Sequence, residues 1–406
     1  MSERNYKADF PVFEKYPDLV YLDNSATTQK PKAVLDAVTR YYREENANPL
    51  RGLYELAVKA TDAYENARIA VRDIIGAASE REIIFTRNAS ESLNLIAYSY
   101  GRANIREGDE ILVTISEHHS NFLPWQILAK RTGAALRFLK CTESGGYTPE
   151  MLGKALTPRT KIFACAQISN VFGRLNPIRE FAEICHKNGT LIVCDGAQSV
   201  PHIPVDVREL GVDFLAFSGH KMLAPMGIGV LYGREELLEK MPPFLYGGEM
   251  IEYVTLCGAT YAELPHKFEA GTVNAGGAVG LHAAIDYINA VGFDEIERRE
   301  NELTKLLVTE MRQKPHLNII GSRDPDEHHG IVTFTIDDVH PHDVAAIFDE
   351  SGVCIRAGHH CAQPLHKFLN VQSTVRASVA FYNDESDVCR FIDCLKTIRR
   401  RMGYSD

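Results

Sequence analysis

The chain has 406 residues, 45% apolar and 24% charged, the balance of a globular protein long enough for two or three domains. Its formal net charge of -10 and lack of a basic tract argue against a general nucleic-acid binder, which neutralises phosphates with a basic face. The first 18 residues mix charges with single apolar side chains, so neither a signal peptide nor a membrane helix is expected there, and a cytoplasmic location follows.

From about residue 21 to 292, short apolar runs alternate with longer amphipathic segments, which predicts a mostly parallel sheet flanked by helices. Strands are expected at 83–85, 111–114, 136–139, 161–166, 191–194, 214–217 and 229–232. Such continuous apolar runs suit strands buried on both faces. Between two of them, Asn176-Pro177 reads as the start of a helix over 178–187, with Pro177 at its first position. A break is expected near Gly292. Beyond it come strands at 317–320, 331–336, 353–356 and 375–379 and a last helix at about 385–402, basic near its end. The expected organisation is a short segment 1–20, a large α/β domain 21–292 and a smaller α/β domain 293–406.

The nine cysteines cannot all pair and show no Cys-x-x-Cys spacing, so most are expected as buried thiols and no structural zinc site is foreseen.

Chemistry-bearing residues fall where these strands end. Asp195 directly follows the run 191–194, at the carboxyl edge where open α/β sheets bind ligands. A carboxylate there either holds a pyridinium nitrogen protonated or caps the next helix. Lys221 follows the run 214–217 and the polar pair Ser218 and His220. A lysine in such a cleft, its pKa lowered, serves as a Schiff-base amine, although most lysines are merely solvated. The pair is more telling than either member, because one strand-helix-strand unit separates them.

Asn88-Ala89-Ser90-Glu91-Ser92 follows a strand and opens a helix near Glu91, a place where backbone amides and the helix dipole favour a phosphate. An ordinary cap reads the same way. Gly271-Thr272 is a second, weaker candidate for phosphate. In Glu117-His118-His119-Ser120-Asn121, one histidine is expected to face a cofactor ring, stack on it and exchange protons with substrate. Arg376, on a strand, offers a planar fork for a substrate carboxylate or a structural ion pair.

Cys361 sits in the Gly/His loop Arg356-Ala357-Gly358-His359-His360-Cys361. An exposed thiol in a mobile loop beside Arg356 and two histidines is a nucleophile candidate. Zinc ligation is the rival, but adjacent His-His-Cys makes poor chelate spacing and no fourth ligand presents itself.

Taken together, Tyr21-Leu22-Asp23-Asn24-Ser25-Ala26-Thr27-Thr28-Gln29-Lys30-Pro31, Glu117-His118-His119, Ser169-Asn170-Val171, Asp195-Gly196-Ala197-Gln198, Ser218-Gly219-His220-Lys221, Phe268-Glu269-Ala270-Gly271-Thr272 and the segment from Arg356 to Pro364 carry a family resemblance. The chain resembles the pyridoxal-phosphate-dependent cysteine desulfurases of aminotransferase class V, in the SufS-like, group II branch that serves iron-sulfur cluster assembly. Selenocysteine lyases share much of this set.

The resemblance implies a type I pyridoxal-phosphate fold, with a mostly parallel seven-stranded sheet flanked by helices in the large domain. It further implies that Lys221 carries the cofactor as a Schiff base, Asp195 meets the pyridinium nitrogen, Gln198 the ring hydroxyl, and His118 the ring face. Ser90, Ser218, His220 and Thr272 from a second subunit would hold the phosphate. Asn170 and Arg376 would bind the carboxylate of L-cysteine, with Arg356 nearby, and Cys361 would take up the sulfur. A homodimer and a SufU-like or SufE-like protein acceptor of the persulfide are implied as well.

Three departures from the family pattern stand out. Leu50-Arg51-Gly52 replaces His-Arg-Gly, Ala224-Pro225-Met226-Gly227 replaces Gly-Pro-Thr-Gly, and Ala89-Ser90 replaces a Thr-Thr pair near the phosphate. Two other readings remain: a class V transaminase or lyase in which Cys361 is incidental, and a sulfur-relay scaffold component with little turnover.

Overall fold

In the computed structural model, which describes residues 4–404, a seven-stranded sheet carries the large part of the chain. The strands are β1 (Val20–Tyr21), β2 (Ile83–Thr86), β3 (Glu110–Thr114), β4 (Ala135–Leu139), β5 (Thr160–Ala166), β6 (Leu191–Asp195), β7 (Phe214–Ser218), β8 (Gly229–Gly233), β9 (Ile251–Val254), β10 (Ala259–Tyr261), β11 (Leu317–Ile319), β12 (Ile331–Ile336), β13 (Val353–Cys354), β14 (Arg356–Gly358) and β15 (Thr374–Ser378). The large sheet runs β2-β8-β7-β6-β5-β3-β4, parallel from β7 to β4 and antiparallel only where β8 meets its two neighbours.

Its central strands bury both faces, and alternate residues go to opposite cores. Ile192 and Cys194 of β6 join one apolar cluster and Val193 the other; in β2, Ile83 and Phe85 oppose Ile84 in the same way. The edge strand β4 departs from the expectation. Phe138 lies 40% exposed and stacks on Phe122, ring centroids 5.1 Å apart, because helices cover only one side of an edge. The helix Ile178–Lys187 forms as expected, but Pro177 is its cap and makes no side-chain bond there. Asn176 instead donates through Nδ2 to the Ala166 carbonyl at 2.8 Å, tying that loop to the end of β5.

Gly292, with φ of 86°, lies between helix Ala275–Val291 and helix Phe293–Met311. The second helix packs Leu303, Leu307, Val308 and Met311 into a separate apolar cluster around a four-stranded sheet ordered β11-β12-β15-β14. The expected strand at 353–356 divides, since β13 pairs with β1 while β14 forms the edge beside β15. The amino-terminal segment is stitched to this part of the chain: Phe10 meets Tyr382, centroids 4.4 Å apart, and Lys7 Nζ lies 2.7 Å from Asp387. Residues 1–3 of the expected 1–20 segment lie outside the described residues.

Four cysteines (Cys141, Cys165, Cys185 and Cys194) are buried, while Cys354 and Cys394 are half-buried and Cys257, Cys361 and Cys389 exposed. The expectation of mostly buried thiols therefore fails. Cys257 sits in the exposed turn between β9 and β10, and Cys389 on the exposed side of the last helix, Glu385–Arg401.

One buried ion pair anchors the segment before Gly271-Thr272. Arg68, with no exposed side-chain surface, meets Glu269 at 2.7 Å, and Glu269 also accepts from Tyr64 Oη at 2.9 Å and Phe85 N at 2.7 Å. Removing one member of such a pair leaves an uncompensated buried charge. Glu269→Ala should therefore lower unfolding stability by about 3 kcal/mol or more. A shift in urea midpoint with an unchanged denaturant slope checks this.

Candidate functional site

The carboxyl ends of β2, β3, β5, β6 and β7 converge on one cavity of about 260 Å³. Eleven of the twelve expected site residues line it: Ser90, His118, Asn170, Asp195, Gln198, Ser218, His220, Lys221, Arg356, Cys361 and Arg376. Residues spread over nearly 290 positions meet here because open α/β sheets splay their loops at this edge.

Asp195 closes β6, and its Oδ1 accepts from the Ala197 amide at 3.0 Å. Lys221 lies in the short turn after β7. Both line the cavity, and among the described residues no ion pair joins them. Burial brings Lys221 down to about 8, Arg376 adds to this and Asp195 opposes it. Burial pushes Asp195 up, against the pull of the Ala197 amide and Lys221. A cationic ring nitrogen inserted between them would supply the partner that Asp195 lacks.

Hydroxyls and the start of a helix gather elsewhere along the cavity. Asn88 caps helix Ala89–Ile96 through its side chain, bonded to the Glu91 amide at 3.0 Å, and the Ala89 amide donates to Ser218 Oγ at 2.9 Å. Ser90 Oγ lies 2.5 Å from Ser120 Oγ, a hydroxyl that sequence reasoning passed over although it stands two residues after His118. His220 Nδ1 is buried without a partner. Thr272 is the residue not brought in: it lies in a separate depression with Gly227 and Asn274. Leu50 and Met226 also stand away from the cavity, Leu50 with φ of 76° and Met226 70% exposed.

The two histidines left open by the sequence divide their duties. His118 lines the cavity, and its Nδ1 accepts from the Ser120 amide at 3.1 Å, which places the ring proton on Nε2. Burial, helped by Lys221, lowers it to about 3, so the ring is neutral. His119 instead clamps the cysteine loop. Its amide donates to the Cys361 carbonyl at 2.7 Å and its Nε2 accepts from the Gln363 amide at 3.2 Å. Beneath them Glu117 is fully buried, held by the Ala166 amide at 2.9 Å and by Asn121 Nδ2 at 2.5 Å; burial raises it to about 8. Sequence reasoning gave Glu117 no role.

At the cysteine end, Arg356 grips Asp23 through Nε and Nη2, at 3.1 and 2.9 Å. Arg376 is buried, donates to the Asn170 carbonyl at 3.0 Å and is lowered to about 10 by burial. Asn170 Nδ2 donates to the His360 carbonyl at 2.7 Å, leaving its second N–H for a ligand. The loop itself is strained: His360 and Cys361 have φ of 49° and 57°, both left-handed.

Buried atoms without partners test whether a cofactor fits. Gln198 Oε1, Ser25 Oγ and His220 Nδ1 are all orphaned at this cavity, although Gln198 Nε2 is anchored to the Ser25 carbonyl at 2.8 Å. Buried polar groups ordinarily find partners. A ring bearing a cationic nitrogen, a hydroxyl and an aldehyde, with a phosphate near helix Ala89–Ile96, would satisfy this donor and acceptor set. Among the described residues no group of three or more His, Cys, Asp or Glu side chains has a metal-binding arrangement.

A half-buried amine and a buried carboxylate at adjacent strand ends of a mostly parallel sheet define a class of pyridoxal-phosphate enzyme. The chain belongs to the aminotransferase class-V family, whose model matches residues 20–391. It is 48% identical over 407 residues to a probable cysteine desulfurase of Halalkalibacterium halodurans, covering 100% of both chains. To a probable cysteine desulfurase of Streptomyces coelicolor it is 45% identical, covering 98% of this chain and 97% of the relative. Among solved structures it is similar to the apo cysteine desulfurase of Thermococcus onnurineus NA1, at TM-score 0.94 and 40% identity over 98% of this chain and 99% of that one. The cysteine desulfurase CsdA of Escherichia coli matches at TM-score 0.91 and 36% identity over 98% of both chains. The cofactor is pyridoxal 5'-phosphate.

The amine of Lys221 is nucleophilic only when neutral. Its share of neutral form therefore rises about tenfold per pH unit below its pKa and levels off above it. Cofactor uptake by the stripped protein should accordingly accelerate with pH up to about 8 and then plateau. A rate still climbing steeply above pH 10, as for a solvated lysine, is the contrary result.

Proposed function

We propose that this chain is a pyridoxal-phosphate-dependent cysteine desulfurase that converts L-cysteine to L-alanine and leaves the sulfur on Cys361. The observation that carries the reading is a single cavity with Lys221 and Asp195 at its floor, two arginines at one side and the exposed thiol Cys361 at its rim.

Lys221 would hold the cofactor's aldehyde, Asp195 its ring nitrogen, Gln198 its ring hydroxyl and His118 the ring face. Ser90, Ser218 and His220 would take the phosphate. Bound in this way, pyridoxal phosphate supplies an electron sink for the carbon next to the substrate carboxylate. Arg376 and Asn170 orient the carboxylate of L-cysteine, with Arg356 nearby. Lys221 Nζ, brought by burial down to about 8 so that a fraction of it is neutral near physiological pH, removes the proton from the substrate Cα. Cys361 Sγ, as thiolate, attacks the substrate sulfur: an S–S bond forms, the substrate Cβ–S bond breaks, and its electron pair stays with the substrate carbon. Protonation of that carbon, and return of the proton held by Lys221 to Cα, gives alanine. The sum is L-cysteine plus the Cys361 thiol giving L-alanine plus a Cys361 persulfide.

Several parts of the reading go beyond one chain. Thr272 lies outside its own cavity, and the neighbouring surface is apolar and open: Leu53 and Leu256 are almost wholly exposed, and Tyr253 69% exposed. Arg51 pairs with Glu249 at 2.7 Å, linking the turn before Leu53 to the segment that leads into β9. Exposed apolar surface of this kind suits a second copy. In a homodimer, Thr272 of each subunit would complete the phosphate site of the other. The division into a segment 1–20, a large domain 21–292 and a small domain 293–406 would let the cysteine loop move with the small domain. On the family resemblance, the compact loop up to Cys361 would be of the SufS-like, group II type, with a SufU-like or SufE-like protein to draw off the persulfide for iron-sulfur cluster assembly. A cytoplasmic location accords with that role, and among the described residues no helix is long and apolar enough to cross a membrane.

The test exposes the yellow protein to L-cysteine without reductant and weighs its peptides. Cys361 alone should gain one sulfur atom, and neither Lys221→Ala nor Cys361→Ala should show the gain, while Cys361→Ala should still bind cofactor. Alanine formation at full rate in Cys361→Ala would refute the nucleophile and favour a lyase.

A further inference from the structure

Two buried polar atoms on the Cys361 side of the cavity have no partner: Arg376 Nε and His360 Nδ1. The first is a donor and suits a carboxylate. The second is of opposite character, and its neighbours fix that character. His366 Nδ1 lies 3.0 Å from the Ala362 carbonyl oxygen, which can only accept, so Nδ1 carries the proton and Nε2 does not. His366 Nε2 can then only accept, and its partner is the Thr374 hydroxyl at 3.0 Å; were that hydroxyl to donate instead to His360 Nε2 at 2.9 Å or to the Gly358 carbonyl at 3.3 Å, two bare acceptors would face each other. With its proton committed, Thr374 Oγ1 accepts from His360 Nε2 at 2.9 Å. His360 therefore bears its proton on Nε2 and presents Nδ1 as a bare acceptor.

Burial, with Arg376 and His366 adding to it, lowers His360 to about 2, so the ring stays neutral beside its two arginines. It is 6% exposed and lines the cavity, and its backbone is held left-handed by Asn170 Nδ2 on its carbonyl. A relay of three side chains thus spends its bonds on fixing one tautomer.

On the desulfurase reading, L-cysteine brings three polar groups. The carboxylate has no proton at neutral pH and belongs to the arginines. The amino group is taken by the cofactor. Only the thiol remains as a donor for an acceptor lodged next to Cys361. We propose that His360 Nδ1 accepts the hydrogen bond of the substrate thiol, a contact that selects a sulfur-bearing side chain and aims its sulfur at Cys361. His360 is then a substrate-binding residue, and Thr374 and His366 are positioning residues that keep its tautomer.

The test uses Cys361→Ala holoenzyme, which cannot take up sulfur, and follows the cofactor's absorbance during titration with L-cysteine and with L-alanine. His360→Gln keeps an amide donor for Thr374 but places nothing at the Nδ1 position. It should weaken L-cysteine by about three- to tenfold, the worth of one modest hydrogen bond. L-Alanine, which has no thiol, should bind within about twofold of the parent. Thr374→Val, which frees the tautomer without touching the cavity wall, should show a smaller loss with the same selectivity, and keeps the test alive if His360→Gln does not retain cofactor. Unchanged binding of L-cysteine, or equal losses for both ligands, would overturn the contact. Unchanged binding is also the outcome if His360 serves the Cys361 thiol instead, since that thiol is absent from the parent. The desulfurase reading fails separately, when the intact enzyme forms no persulfide on Cys361.

Discussion

The structure depends on keeping two opposite charges, the buried Asp195 and the half-buried Lys221, at neighbouring strand ends without letting them touch. A direct pair would be self-satisfied and would leave nothing to bind a cofactor. An isolated buried charge costs several kcal/mol (order of magnitude) even after relaxation. The sheet bears that cost through its packing: β6 and β7 lie side by side with Asp195 opposite Ala216, and apolar side chains fill both faces below. What remains is a slot with a carboxylate at one end and an amine at the other. Such pre-arranged electrostatics is the general way a protein stabilises charge that develops later.

A second constraint is the posture of Cys361. Left-handed backbone at His360 and Cys361 costs roughly 1 kcal/mol or more per residue for side chains of this kind. The cost is offset by bonds from the large sheet's loops, Asn170 to the His360 carbonyl and the His119 amide to the Cys361 carbonyl. The edge strand β14 thus delivers the thiol from one sheet while loops of the other sheet set its position. Cys361 and Lys221 follow strands of different sheets, and movement between those sheets would alter their distance.

Much of this was legible in the sequence. Continuous apolar runs gave away the central strands, because strands buried on both faces have no polar alternation to obscure them, and the residues just past those runs proved to line the cavity. What the sequence hid has physical reasons. β4 is an edge, so an apolar run of the same appearance stays half-exposed. The hairpin β9-β10 bears large apolar residues that face outward, and nothing in one chain says what they meet. Glu117, Ser120 and His360 stood inside recognised motifs, yet their roles rest on burial and on partners far along the chain, which spacing alone does not encode. Likewise, His118 is singled out only through the family resemblance, and the bonds of His119 reach partners far along the chain.

The central claim is that Lys221 holds the cofactor's aldehyde opposite Asp195. Its most direct test is reduction of the purified holoenzyme with borohydride, followed by peptide mapping. The account requires one reduced cofactor adduct per chain, on Lys221 and no other lysine, with the colour lost in step. An adduct on Lys30 or Lys267, or cofactor that washes away unreduced from a protein still intact at Lys221, would contradict it.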